Sequence, residues 1–328
     1  MTTLTERPGA IRSVSRLEPV ALAATRAAAI ACQRWVGRGD PHSADAAATD
    51  AMRAALAKAP GIGNVVIGEG EKDAAPMLYN GEQVGNSDGT RFDIAVDPLE
   101  CTKACAAGLP GSLATIAIAA PGTLWAPGPA LYIEKLVVGA AARDAIDITA
   151  RPEDTAVAVA WALEKTPQTL RAVVLGKPRH AELIGRLREM GVHVSTPADG
   201  DVAGALEVLL PDGSADLLVG VGGTPEGVLT ACAVRALDGG MEARLAPQRQ
   251  AESDALADAG VELERVLGLE DLAPGESLFV ATGVTSGSIA RGPARVGRAW
   301  RTDSIVISDG SVRRVLETSF DRDPKRRA

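Results

Sequence analysis

Between Leu170 and Gly240, short apolar runs alternate with helical windows, and this alternation limits the possible fold more than any other feature of the chain. RAVVLG is followed by HAELIGRLREMG, in which Leu183, Ile184, Leu187 and Met190 share one helical face and Gly191 ends the pattern. VHVST, DVAGALEVLL, ADLLVGVGG and PEGVLTACAVRALDGG continue the rhythm. Apolar residues at helical spacing share a face only in a helix, whereas a short continuous apolar run between turn residues suits a buried strand. Strands joined through helices are brought parallel, and the helices then cover the sheet. The alternation therefore predicts a layered α/β fold with a largely parallel sheet in this part of the chain.

The preceding residues are organised differently. Leu17 to Trp35, rich in Ala, Leu and Arg, predicts a long helix ending at Gly37, and Ser43 to Lys58 a second. Asn64 to Ile67, Asp93 to Val96 and Leu113 to Ala119 are β-branched runs bounded by Gly, Pro or Asp, the mark of buried strands. A Pro- and Gly-rich crossing from Pro121 to Pro129 leads to LYIEKLVVG and a helical window from Pro152 to Lys165. The change of rhythm there places a boundary between an N-terminal α/β half, 1–165, and a C-terminal α/β half, 166–328. Near the end, Asp309-Gly310 between two β-rich runs predicts a hairpin with a primed turn.

Composition narrows the class of partner. Lys plus Arg number 34 against 42 acids, a net charge of −8 that repels nucleic acid and anionic lipid. Any anionic substrate has to be met locally, by metals or a few placed cations. The four cysteines fall in no metal-binding spacing, and a chain of 328 residues needs no covalent staples, so a reducing, cytoplasmic setting without disulfides is expected. No apolar stretch approaches the roughly 20 residues of a membrane span, so no membrane partner is expected.

Acids gather where apolar runs end: Asp40 and Asp45 in GRGDPHSAD, Glu69, Glu71 and Asp73 in VIGEGEKDAAPMLY, Asp93, Asp97 and Glu100 in DIAVDPLECT, and Glu226 in GVGGTPEGV. Ends of strands are where α/β proteins place ligands. Any one of these acids alone reads equally as a helix cap. Several brought together repel one another unless a hard cation such as Mg²⁺ or Mn²⁺ neutralises them. The Asp-Pro-Leu-Glu corner offers two carboxylates across a fixed proline turn, with the hydroxyl of Thr102 close behind. That combination suits metal-assisted hydrolysis of a phosphate ester.

RWVGRGD, VIGEGEKDAAPMLYNGEQVGN, DIAVDPLE with Thr102, LYIEKLVVG, GKPRH, DGDVAGAL, GVGGTPEGV with RALDGG, and ATGVT occur in one order from Leu17 to Leu316. In these motifs the chain resembles the class II fructose-1,6-bisphosphatases of the GlpX type, within the metal-dependent, lithium-sensitive sugar and inositol phosphatase superfamily. The resemblance implies a layered α/β/α/β/α sandwich with the site between a metal-binding half, 1–165, and a sugar-phosphate-binding half, 166–328, and hydrolysis of fructose 1,6-bisphosphate as in gluconeogenesis. It implies metal ligation by Asp45, Glu69, Asp97, Glu100 and Glu226, with Thr102, Glu100 and Asp45 acting on the attacking water. It places Tyr132, Lys177 and Arg179 on the sugar phosphate, Asp199 and Asp201 on sugar hydroxyls, and Cys101 beside the substrate. It also implies a homodimer or homotetramer.

The chain departs from the family pattern around this site. Cys101 stands where the family has Gly between the Glu and Thr of the corner, Pro41 where Lys usually follows GRGD, and Gly111-Ser112 where Asn-Ala is common. These departures leave two alternatives open: another phosphosugar, such as sedoheptulose 1,7-bisphosphate or an intermediate of a specialised pathway, or a weakened homologue that binds sugar phosphate. An inositol monophosphatase-like enzyme fits the metal corner but not the sequence after Leu170. His180 is expected to be a cap or surface residue, Asp40 a turn residue or a support for the metal ligands, and the thiols of Cys101 and Cys105 to take no part in catalysis.

Overall fold

The computed structural model describes residues 13–70, 77–86 and 89–320. Helices α1 (Glu18–Cys32) and α2 (Pro41–Leu56) come first, then strands β1 (Ile62–Ile67), β2 (Gln83–Gly85) and β3 (Arg91–Glu100). Helix α3 (Thr102–Ala107), β4 (Leu113–Ala119) and β5 (Tyr132–Val138) follow, and α4 (Pro152–Ala162) precedes the alternating segment. That segment comprises β6 (Arg171–Val173), α5 (Ala181–Glu189), β7 (His193–Ser195), α6 (Asp201–Leu209), β8 (Leu217–Gly223) and α7 (Thr224–Ala236). The chain ends with β9 (Gly240–Leu245), α8 (Gln250–Asp258), β10 (Leu267–Gly268), α9 (Leu269–Leu272), β11 (Ser277–Gly283), β12 (Ala294–Val296), β13 (Ala299–Ser308) and β14 (Ser311–Phe320).

The strands form an eight-stranded sheet, β12-β13-β11-β4-β3-β1-β2 with β14 on β13, and a six-stranded sheet, β10-β9-β5-β8-β6-β7. Helices α1 and α2 cover the outer face of the larger sheet, where Ala21, Ala24, Ala28 and Met52 meet Ile94, Ile116 and Val280. Helices α6 and α7 fill the space between the sheets, with Val228, Leu229 and Val234 against Ala117, Phe279 and Val137. Helices α4 and α5 close the far side of the smaller sheet through Ala156, Val159 and Leu187. The result is the expected α/β/α/β/α layering. Middle helix α7 shows little amphipathicity because it is enclosed on nearly all sides, from Gly227 through Val234.

One expectation is corrected. The smaller sheet is mixed: β8-β6 and β6-β7 are parallel, but β5 runs antiparallel to both β8 and β9, and β10 antiparallel to β9. Periodicity identifies strands but carries no information on the direction of a partner distant in sequence. Strand β5 belongs to the smaller sheet, while β11 to β14 return to the larger one. At Asp309-Gly310, φ values of 47° and 69° join β13 to β14 through the expected primed turn.

Candidate active site

The metal corner begins with a bulge. Asp97 faces Thr115 of β4 and Glu100 faces Leu113, so β3 spends one residue more than its partner between those two positions. Side chains alternate along a strand, and the extra residue brings Asp97 and Glu100, which would otherwise point to opposite faces, onto the same side. The amide of Leu99 donates to Asp97 Oδ1 at 3.0 Å, which holds the turn. Among the described residues, ligand oxygens of Asp97, Glu100 and Glu226 lie within 4.8 Å of one another. Glu226 arrives from the first turn of α7 and folds back over Gly223, where a Cβ would stand only 1.9 Å from its Oε2.

Asp45, on α2, and Glu69, just past β1, lie beside this trio: they hydrogen-bond to each other, and Glu69 lies in the fields of Asp45 and Glu226. Burial pushes Asp45 and Glu226 above the ordinary carboxylate range. Glu69 and Asp97 rise to about 8, by burial and then by neighbouring carboxylates. Glu100 rises for the same reasons, burial first and then Asp97 and Glu226. Glu226 Oε2 is buried without a hydrogen-bond partner. Five carboxylates concentrated in this way, one with an orphaned buried oxygen, fit a hard divalent cation. Glu71 and Asp73 lie outside the described residues.

Asp97, Glu100 and Glu226 border a cleft of about 1020 Å³ that Cys101, Thr102, Tyr132, Lys177, Arg179, Asp199 and Asp201 also line, whereas Asp45 and Glu69 stand behind its wall. Thr102 Oγ1 donates to the carbonyl of Leu99 at 2.8 Å, which leaves its lone pairs free to accept. Lys177 is ion-paired with Asp199. Arg179 donates to the carbonyl of Val221 through Nε at 3.2 Å and Nη2 at 2.8 Å, and its guanidinium lies 5.4 Å from the centroid of the Tyr132 ring. Asp201 Oδ2 receives a hydrogen bond of 2.7 Å from Lys135. Of the site residues named from the sequence, Asp97, Glu100 and Glu226 meet in one cluster, Asp45 and Glu69 pair beside it, and the remaining residues line the adjoining cleft.

Cys101 adopts φ 63°, ψ 46°, in the left-handed region that glycine occupies without steric cost. The thiol bears on Gly200, where a Cβ would be 3.2 Å from Sγ. Its carbonyl is held by Ser112 Oγ at 3.1 Å and by the amide of Cys105, so Ser112, itself a departure from the family, steadies the strained corner. Burial and the fields of Glu100 and Asp97 push the Cys101 thiol up, so it stays neutral.

Other acids have local duties. Asp40 caps α2 by accepting from the amide of Ser43 at 3.0 Å, and Pro41 takes the first helical position, which needs no amide donor. Asp93 accepts from the amide of Gly122 at 2.7 Å, away from the corner. The surface expectation for His180 is corrected: the residue is 3% exposed.

Sequence reasoning missed Lys135 and Arg249. Lys135 is fully buried, the only lysine or arginine so classed among the described residues. A lone cation within the apolar run of LYIEKLVVG was its available signal, because buried charges require a partner. Arg249 lines the cleft from the residue before α8, and nothing in its local sequence marks it.

A five-layer sandwich with a carboxylate ring beside a cationic cleft defines a metal-dependent phosphatase architecture. The family model described as "Bacterial fructose-1,6-bisphosphatase, glpX-encoded" matches residues 16–319, and the chain belongs to that family. It is 40% identical over 312 residues, 90% of this chain and 93% of the relative, to "Fructose-1,6-bisphosphatase 1 class 2" of Escherichia coli K12. "Fructose-1,6-bisphosphatase class 2" of Shigella flexneri matches with the same 40% identity and the same coverage.

Proposed function

We propose that this chain hydrolyses fructose 1,6-bisphosphate to fructose 6-phosphate and inorganic phosphate, with Mg²⁺ or Mn²⁺ held by Asp45, Glu69, Asp97, Glu100 and Glu226. The observation that carries this reading is the single cleft joining Asp97, Glu100 and Glu226 to Lys177 and Arg179. The bound cations supply Lewis acidity and charge neutralisation at the reacting phosphate.

The chain's own residues do the remaining work. Thr102 has spent its proton on Leu99, so its oxygen accepts from an attacking water and aims it. Glu100 and Asp45 are the carboxylates that receive the proton. Arg179, braced by Val221 and lying over Tyr132, presents a planar fork to the non-reacting phosphate, and Lys177 adds a point charge. Asp199 and Asp201, each already engaged by a lysine, offer their remaining oxygens to sugar hydroxyls. Cys101 presents a neutral thiol at the substrate's edge.

The Cys101 corner favours a second reading of the same chemistry, in which the substrate is another sugar bisphosphate such as sedoheptulose 1,7-bisphosphate. Phosphate release across a panel of sugar mono- and bisphosphates, with Mg²⁺, Mn²⁺ or EDTA, separates the two. Metal-dependent release from fructose 1,6-bisphosphate supports the first reading, release from another phosphosugar alone supports the second, and turnover that survives EDTA removes the metal from both. The family resemblance and composition also support a gluconeogenic, cytoplasmic role and a homodimer or homotetramer. Among the described residues, no helix is long and apolar enough to cross a membrane.

A further inference from the structure

His180 sits directly after Arg179, is 3% exposed, and takes no part in the chemistry above. Its two ring nitrogens meet partners of opposite kind. Nδ1 lies 2.7 Å from the carbonyl of Leu175, which can only accept, and Nε2 lies 2.8 Å from the amide of Val221, which donates. One protonation state satisfies both: a neutral imidazole with its proton on Nδ1 and a lone pair on Nε2.

The same residue, Val221, gives its carbonyl to Arg179. Strand β6 pairs with β8 only at Leu217 and Leu218. Further along, at Val221, the side chains of His180 and Arg179 take the backbone groups of β8. Gly220, at φ 131°, lets the ring approach, since a Cβ there would lie 3.0 Å from Nε2. Both sides of the His180 ring thus tie the segment bearing Lys177 and Arg179, one through Leu175 and one through β8.

We propose that His180 is a positioning residue that locks the phosphate clamp onto β8 and releases it when the imidazole is protonated, so that affinity for the sugar phosphate falls at acid pH. A second ring proton would point at the Val221 amide, a donor facing a donor, and would destroy that hydrogen bond. The charged groups facing the ring are Arg179 from its own segment, Lys135 from β5 and Asp201 from α6. Burial, together with Arg179 and Lys135, opposes the added charge, whereas the hydrogen bond to Leu175 and the field of Asp201 favour it; the balance holds His180 below its ordinary value of 6.5. The lock is therefore intact at neutral pH and lost as the solution becomes acid.

This inference rests on reading Lys177 and Arg179 as a phosphate clamp, and its test separates the two ideas. His180→Gln keeps an acceptor and a donor on the side chain but cannot titrate, whereas His180→Phe fills the space without hydrogen bonds. The ratio of KM for wild type to KM for His180→Gln, which cancels the ionisation of the substrate itself, should be flat near pH 8 and rise as pH falls to about 5.5, by no more than about tenfold because a group held below 6.5 is at most about nine-tenths protonated there. His180→Phe should raise KM about tenfold at the higher pH while kcat changes less than about twofold. A KM ratio that stays constant with pH, or wild-type KM in His180→Phe, overturns the proposal. Imidazole nitrogen shifts from ¹⁵N NMR give an answer that does not need turnover. The Nδ1–H form supports the lock and the Nε2–H form overturns it, even where a wild type inert toward every sugar phosphate has removed the functional reading.

Discussion

The carboxylate corner and the cationic cleft beside it treat charge in opposite ways. In the corner, Asp97, Glu100 and Glu226 converge with no arginine or lysine among the described residues bonded to any of them, and burial raises all three. In the cleft the charges assigned to substrate already have protein partners: Lys177 holds Asp199, Lys135 holds Asp201, and Arg179 rests on Val221. The corner is incomplete without a cation, whereas the cleft is balanced and exchanges internal partners for a substrate. A buried unpaired charge is far more costly than a half-exposed pair, so the corner should govern rate and metal response and the cleft should govern affinity.

The largest break in that comparison is expected from Asp97→Asn, which should lower kcat by about a thousandfold or more. The same substitution should raise the thermal stability of the metal-free protein, because it removes a repelling buried carboxylate. Loss of activity with unchanged or lower metal-free stability would show that Asp97 is not strained in the empty ring.

Metal removal sharpens the contrast through pH. Glu69 and Asp97 have folded values of about 8 against ordinary values of 4.5 and 3.8. A carboxylate raised on folding contributes stability below its ordinary value and loses that contribution as pH rises through the folded value. Unfolding curves of the EDTA-treated protein should show stability falling between about pH 4 and pH 8, with Mg²⁺ or Mn²⁺ restoring most at the upper end. A metal effect equal at both ends would argue against cation binding by this ring.

In the cleft, Arg179→Ala should raise KM for fructose 1,6-bisphosphate by about 10- to 100-fold and change kcat much less, as for loss of a charge-assisted contact to a non-reacting phosphate. Steady-state kinetics that put the whole loss in kcat would move Arg179 into the reacting centre. The smallest effect is expected from Cys101→Gly. Release of the left-handed backbone is offset by the greater freedom of glycine in the unfolded chain, so stability should change by no more than about 1 kcal/mol. The telling measurement for that variant is the substrate panel: a shift in preference marks the thiol as a specificity element, and an unchanged profile marks it as neutral.

Much of the site was legible because its chemistry is local. DPLE with Thr102 forms one turn, GKPRH one loop, and Asp40 with Pro41 one helix start, each written in consecutive residues. Lys135 and His180 were read wrongly or passed over because burial decides their roles, and burial depends on elements that meet only after folding. His180 looks like a surface cap beside its sequence neighbours and becomes a buried bridge only when β8 supplies Val221.

The sequence alone determined the kinds of element, the Asp309-Gly310 turn, the acid-rich corner and the family. These depend on side-chain periodicity and turn chemistry over a few residues, or on motif order along the chain. Tertiary structure decided that the smaller sheet is mixed, that β11 to β14 return to the sheet begun by β1, and that Cys101 must take φ 63°. It also decided that Glu226, distant in the chain, closes on Asp97 and Glu100. Strand direction, strand order and the convergence of remote carboxylates follow from which surfaces can be buried together, and that competition is settled only when the whole chain packs.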